Sequence, residues 1–234
     1  MLAWITRNIT LLIGIAVTGT IVGIGTMSAF EPTTAAIFVT ARQVYGLTAM
    51  GVLLGACLIG PLTAVLPRIP LKGVLLAGRR AVGVSAFVIA IPHVACYLVP
   101  VLLLRNWREL YEPGLLWVVG LALGLLAIVD LTMLAWTSRD AAVKAMGGKR
   151  WKRLHRTIYI ATPVLFLHAL FVGADFGIAT PPKGEADYGS LIAFSILATA
   201  WLLLAWLRSR NIRWPARRLA DSATAVPTIP KDCP

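Results

Sequence analysis

Six runs of about twenty apolar residues follow one another along this chain, and little else fits between them. With soft edges they cover residues 9–30, 44–66, 81–104, 115–136, 156–174 and 189–207. At about 1.5 Å per residue, roughly 20 helical residues cross the hydrocarbon of a bilayer. Backbone groups in lipid must be satisfied within the segment, so each run is expected to be a helix. The predicted fold class is therefore an all-α membrane protein, a six-transmembrane-helix bundle over residues 1–207. Residues 208–234 read as a basic tail that turns Ala/Thr/Pro-rich and is expected to be disordered. The first run follows Arg7 and ends near Ser28 and Ala29, like a secretory signal. It exceeds the ~7–15 apolar residues of a signal core, so it reads as a retained helix.

A net charge of +12 would suit a nucleic-acid binder, but its distribution points elsewhere. Eighteen of the 22 basic residues lie at the N-terminus, in the second–third and fourth–fifth connections, and in the tail. The alternate connections hold only Arg42, Arg105, Arg108 and Lys183. The positive-inside rule then places both termini and the two basic loops in the cytoplasm. This asymmetry makes the lipid bilayer the partner of the charge and leaves no role for nucleic acid. Trp4, Trp107, Trp117, Trp136, Trp151, Trp206 and Trp214 stand near span ends, where indoles favour the membrane interface. Cys57, Cys96 and Cys233 form no CxxC or zinc spacing and read as small packing residues plus one tail thiol.

Only three histidines occur: His93 in the third run, and His155 and His168 at the start and middle of the fifth. An imidazole in hydrocarbon needs a partner, because an unsatisfied polar group there costs several kcal/mol. By the topology above, spans three and five run in the same direction, so levels can be compared by counting. Thirteen residues separate His155 from His168 and rise about 19.5 Å. If His93 and His168 share a level, the position level with His155 on span three is Arg80. Two imidazoles facing each other across a bundle can bind a b-type haem from both sides. The bland alternative is three histidines each bonded to a carbonyl or a neighbour. On an ideal helix His155 and His168 point about 140° apart, so one seam cannot take both unless Pro163 bends the helix.

Further polar residues frame this constellation. Asp130 lies inside span four, where a lone carboxylate is a functional-site hypothesis by default. It could pair with Arg79 or Arg80, relay protons from a quinol, or simply tie the bundle together. Arg79 and Arg80 could neutralise haem propionates or a flavin phosphate, or serve only as topology residues. Pro61, Pro92, Pro100 and Pro163 lie within spans and each frees a carbonyl. Gly19-xxx-Gly23, Gly51-xxx-Gly55 and Gly120-xxx-Gly124 allow helix backbones to approach closely.

At these residues a family resemblance becomes visible. Arg79-Arg80-Ala81-Val82-Gly83, followed by His93 and Tyr97, resembles the third-span signature of the MsrQ/YedZ family of ferric-reductase-like membrane subunits. Thr137-Ser138, then Gly148-Lys149-Arg150-Trp151-Lys152-Arg153-Leu154-His155, Tyr159 and His168, resemble that family's fourth loop and fifth span. The likeness covers roughly residues 44–174. It implies a bacterial cytoplasmic (inner) membrane subunit with His93 and His168 as the outer haem pair and His155 as the inner histidine. It also marks Arg79, Arg80, Tyr97, Trp151 and Tyr159 as cofactor-contact candidates, to which the intramembrane carboxylate of Asp130 is added on its own account. Haem b is the implied cofactor, as one copy or two, with FMN a further candidate and quinone a candidate donor. The implied partners are quinol or a cytosolic flavin reductase on one side and a periplasmic molybdenum-type or other reductase subunit on the other. The chain departs from the family at Arg42-Gln43-Val44-Tyr45-Gly46, in the longer fifth connection with Asp175, Lys183, Glu185 and Asp187, and in its tail.

Three functions compete. An electron-transfer subunit would position haem and tune its potential rather than make bonds on a substrate. A complete ferric reductase or oxidase would add nicotinamide- and flavin-binding domains. No GxGxxG opens a βαβ unit here, so a separate reductase is expected to dock. A haem-free transporter or assembly subunit would use His93, Asp130 and His168 to line a proton or substrate path, but no inverted repeat is visible.

Overall fold

The computed structural model describes residues 34–103, 105–111, 113–173 and 189–210. Among them the elements are helical: α1 Thr34–Val65, α2 Lys72–Leu102, a 3-10 turn Trp107–Leu110, α3 Leu115–Thr137, α4 Asp140–Met146, α5 Gly148–Leu154, α6 Ile158–Val172 and α7 Gly189–Ser209. Five membrane-length apolar spans result, at Phe38–Val65, Lys72–Leu102, Leu115–Thr137, Gly148–Val172 and Leu191–Ser209. The chain is thus a multi-pass membrane protein. The expected first span and most of the tail lie outside the described residues, as do Asp175, Lys183, Glu185 and Asp187.

The packing explains why so few residues are needed inside. α1 is the central helix, lying against α2, α6 and α7, while α3 packs on α6 and touches α2. Leu54, Cys57 and Pro61 on α1 are fully buried. Outward positions stay apolar: Leu125 is 64% exposed, Leu126 65% and Ile160 68%. In water such a surface would aggregate; in lipid it is the solvated face. Hydroxyls inside the helices return to the carbonyl one turn back, as in Thr48 to Val44 (2.7 Å), Ser85 to Ala81 (2.9 Å) and Thr162 to Ile158 (2.7 Å). These hydroxyls therefore enter the bundle already satisfied.

α1 and α2 form an antiparallel hairpin whose connection contains Pro67 and Pro70 and turns at Leu71 in the left-handed region (φ 60°). The fourth–fifth connection differs from expectation. It carries two short helices, α4 and α5, hinged at Gly147 (φ 74°), a value glycine adopts freely. The backbone then turns through residues 155–157 before α6 begins. His155 consequently sits at the end of α5, in the turn that joins it to α6 within one membrane span. α6 runs unbroken through Pro163.

Candidate functional site

His93 on α2 and His168 on α6 meet across the bundle, with ring centroids 6.2 Å apart and ring planes at 90°. Both rings are held from behind by a backbone carbonyl. His93 Nδ1–H donates to the Arg42 carbonyl of α1 at 2.8 Å. His168 Nδ1–H donates to the Gly120 carbonyl of α3 at 2.7 Å. A carbonyl only accepts, so the proton must lie on Nδ1 and the lone pair on Nε2 in each ring. This is the tautomer a metal-ligating imidazole requires.

The two cradles are built alike. One turn beyond each accepting carbonyl stands a glycine, Gly46 after Arg42 and Gly124 after Gly120. A Cβ on Gly46 would lie 2.8 Å from His93 Nδ1 and 2.9 Å from its Cε1. A Cβ on Gly124 would lie 2.6 Å from both Nδ1 and Cε1 of His168. Each imidazole thus occupies the space that a side chain would fill. The sequence marked Gly120 and Gly124 only as a helix-approach pattern, and Gly46 only as the end of a stretch that departs from the family.

Between the rings opens a cavity of about 350 Å³, lined by α1, α2, α3 and α6. Arg42, Gln43, His93, Tyr97 and His168 supply its polar groups, and Leu53, Ala86 and Leu131 form a buried apolar floor. The volume falls in the lower part of the ~300–1,000 Å³ range of small-molecule sites. Two nitrogen–metal bonds of about 2 Å, extended from ring nitrogen to ring centre, span roughly 6 Å. The observed 6.2 Å therefore leaves room for the two rings to hold one iron between them. The described residues contain no cluster of three or more His, Cys, Asp or Glu side chains able to hold a bare metal ion. A porphyrin, which brings four nitrogens of its own, needs only the opposed pair.

The remaining candidates lie elsewhere. His155 stacks on Trp151 (4.0 Å between centroids, 30° between planes). Its Nε2 approaches Thr137 Oγ1 at 3.3 Å, and that hydroxyl donates to the Met133 carbonyl at 2.7 Å. Nε2 therefore carries the proton here, the reverse of the other two rings. Trp151 Nε1–H donates to the Thr137 carbonyl at 3.0 Å, pinning the stack to the end of α3. Asp130 accepts from Thr157 Oγ1 at 2.7 Å, while its other oxygen is buried without a hydrogen-bond partner. Of the roles open to Asp130, an ion pair with Arg79 or Arg80 is not seen among the described residues. Arg79 Nε–H donates to the Ala56 carbonyl (3.2 Å) and its guanidinium fills the space at Gly60. Arg80 pairs with Asp140 at 2.7 Å on the surface. Asp130, Arg79 and Arg80 all lie within electrostatic reach of His155. Tyr97 lines the cavity, whereas Tyr159 stacks on Trp201 (5.9 Å, 6°) and joins α6 to α7.

Apolar membrane-length helices enclosing a cavity between two carbonyl-oriented imidazoles define a multi-pass membrane protein with an interior candidate site. Residues 40–166, more than half the chain, match the family model described as ferric reductase like transmembrane component, and the chain belongs to that family. The MsrQ/YedZ resemblance is supported by related proteins. The protein-methionine-sulfoxide reductase heme-binding subunit MsrQ of Polaromonas naphthalenivorans is 35% identical over 103 residues, 44% of this chain and 42% of that protein. MsrQ of Azospira oryzae is 27% identical over 169 residues, 68% of this chain and 64% of that protein. Magnetosome protein MamZ of Magnetospirillum gryphiswaldense is 33% identical over 139 residues, 56% of this chain but only 18% of MamZ. The matches thus span less than two thirds of each of these relatives. No solved structure matches the chain.

Proposed function

We propose that this chain is a b-type haem membrane subunit that passes electrons across the bacterial cytoplasmic membrane. The donor is quinol or a cytosolic flavoprotein, and the acceptor is an outer-face reductase, as in methionine sulfoxide reductase systems. The observation that carries the reading is the opposed pair His93 and His168, each presenting Nε2 toward ligation and separated by 6.2 Å between ring centres. Haem bound there supplies one-electron chemistry. The chain's own residues hold the two imidazoles in one tautomer, shape the apolar slot and keep it within the bundle.

The likeness to MsrQ proteins supports the same assignment, and the basic connections support cytoplasmic entry of electrons. His155, stacked on Trp151 beside Asp130, Arg79 and Arg80, is our candidate for the entry side, where a quinone or FMN would be met. The six-helix topology, with both termini cytoplasmic, belongs to this proposal.

A reduced-minus-oxidised absorption spectrum of the purified protein tests it. A reducible Soret and α-band pattern of b-type haem is expected. Its absence would overturn the haem reading and favour a haem-free transporter or assembly subunit.

A further inference from the structure

The cavity has a polar end and an apolar end. Leu53, Ala86 and Leu131, only 4%, 1% and 6% exposed, close one end. Arg42, Gln43 and Tyr97 stand at the other, together with Leu110 from the 3-10 turn and Gly173 just past α6. Among the described residues lining the cavity, Arg42 is the sole Lys or Arg side chain. Its guanidinium carbon lies 5.6 Å from the centre of the Tyr97 ring and 5.9 Å from that of Trp117. Two aromatic faces therefore restrain the head group of a long side chain, at a distance where cation–π attraction operates. Trp117 is itself 4% exposed, so this wall is fixed.

A b-type haem has the same polarity: one edge bears two carboxylates and the opposite edge is apolar. The geometry points to Arg42 as the haem-orienting residue, which binds a propionate carboxylate at the polar end and sets the porphyrin's apolar edge on the Leu53–Ala86–Leu131 floor. This inference rests on the haem reading above and adds the direction of the group within its slot. It also moves the propionate partner away from Arg79 and Arg80, which do not line the cavity. A guanidinium offers paired donors that match a carboxylate, and such charge-assisted bonds are the strong ones. Arg42 holds His93 through its backbone carbonyl, so replacing its side chain removes the anion partner without removing the acceptor.

The full chain, wild type and with Arg42→Gln or Arg42→Lys, is loaded either with haem b or with its dimethyl ester, whose carboxylates are neutral. Transfer of each porphyrin to excess apomyoglobin is then timed. The wild type is expected to lose the ester about 10- to 100-fold faster than haem b. With Arg42→Gln the two rates converge, and Arg42→Lys falls between, all three keeping a low-spin two-histidine spectrum. Equal release of ester and acid from the wild type overturns the propionate assignment, as does a preference for the acid that survives Arg42→Gln. The wild-type comparison stands even if a variant fails to fold. Failure of the wild type to take up either porphyrin overturns the haem reading itself, an outcome distinct from equal release.

Discussion

Gly124 provides the sharpest test of the site, because its missing side chain is where His168 rests. A Cβ there would lie 2.6 Å from Nδ1 and Cε1 of His168, against an ordinary carbon contact of about 3.5–4.0 Å. The ring must retreat by about 1 Å, which lengthens the 2.7 Å bond to the Gly120 carbonyl past hydrogen-bonding range. Overpacking costs about 1–3 kcal/mol, and a buried donor left unpaired costs a similar amount. With partial relaxation the sum is about 2–4 kcal/mol, or roughly 30- to 1,000-fold in haem affinity at about 1.4 kcal/mol per decade. Alanine in place of glycine favours the helix by up to about 1 kcal/mol, so α3 itself is not weakened. Gly124→Ala should therefore give folded protein with little haem, read as the haem-to-protein ratio and by haem titration. Gly46→Ala, with closest approaches of 2.8 and 2.9 Å to His93, should show a smaller loss. Gly55→Ala, whose Cβ would meet nothing within 4 Å, is the control and should keep full haem. Wild-type haem affinity in Gly124→Ala would refute the cradle argument.

Three further outcomes follow from the geometry. His93→Ala and His168→Ala should each abolish the low-spin b-type spectrum, and full haem retained in both would contradict the ligand pair. With three histidines in the chain, only one two-histidine site can form. The haem-to-protein ratio should then be about one and should survive His155→Ala, while the rate of reduction by a quinol analogue falls; a ratio halved by His155→Ala would place a second haem at the inner level. Asp130→Asn keeps an acceptor for Thr157 and removes a buried charge, so thermal unfolding in detergent should occur at the same or a higher temperature. A marked drop would show that the carboxylate is a structural tie.

The spans were legible because lipid leaves the backbone one economical conformation and the side chains one requirement, apolarity. The expected runs 44–66, 115–136 and 189–207 fall on Thr34–Val65, Leu115–Thr137 and Gly189–Ser209. Where chain meets headgroup and water that constraint weakens, and α4 and α5 went unforeseen in the connection around Lys149 and Arg153. That His93 and His168 share a level was the premise of the counting on parallel spans, and their rings do lie 6.2 Å apart. The cradles were not legible. Arg42 and Gly120 act through carbonyls, and Gly46 and Gly124 through the absence of atoms, so side-chain chemistry gives neither away. A Gly-xxx-Gly pattern announces close approach, but only packing reveals that an imidazole, rather than a helix backbone, does the approaching.

The repetition of that cradle bears on what the site can do. α1 receives the histidine of α2, and α3 receives the histidine of α6, each by a carbonyl at one position and a glycine one turn on. Two rings fixed from behind cannot swing away cheaply, since each would leave a buried Nδ1–H unpaired. Were haem bound here, His93 and His168 would hold its iron and the group would supply one-electron chemistry. Such a centre changes charge with little movement of its ligands, which favours electron passage over bond-making. The inner cluster lacks this symmetry. His155 has its Nε2 proton directed at Thr137 and an indole against its face, and the nearby carboxylate of Asp130 keeps one oxygen unpaired. We read an imidazole beside a carboxylate, on the basic side of the bundle, as suited to a donor that surrenders protons with its electrons. On these grounds we propose the electron-entry role for His155 and the haem for His93 and His168.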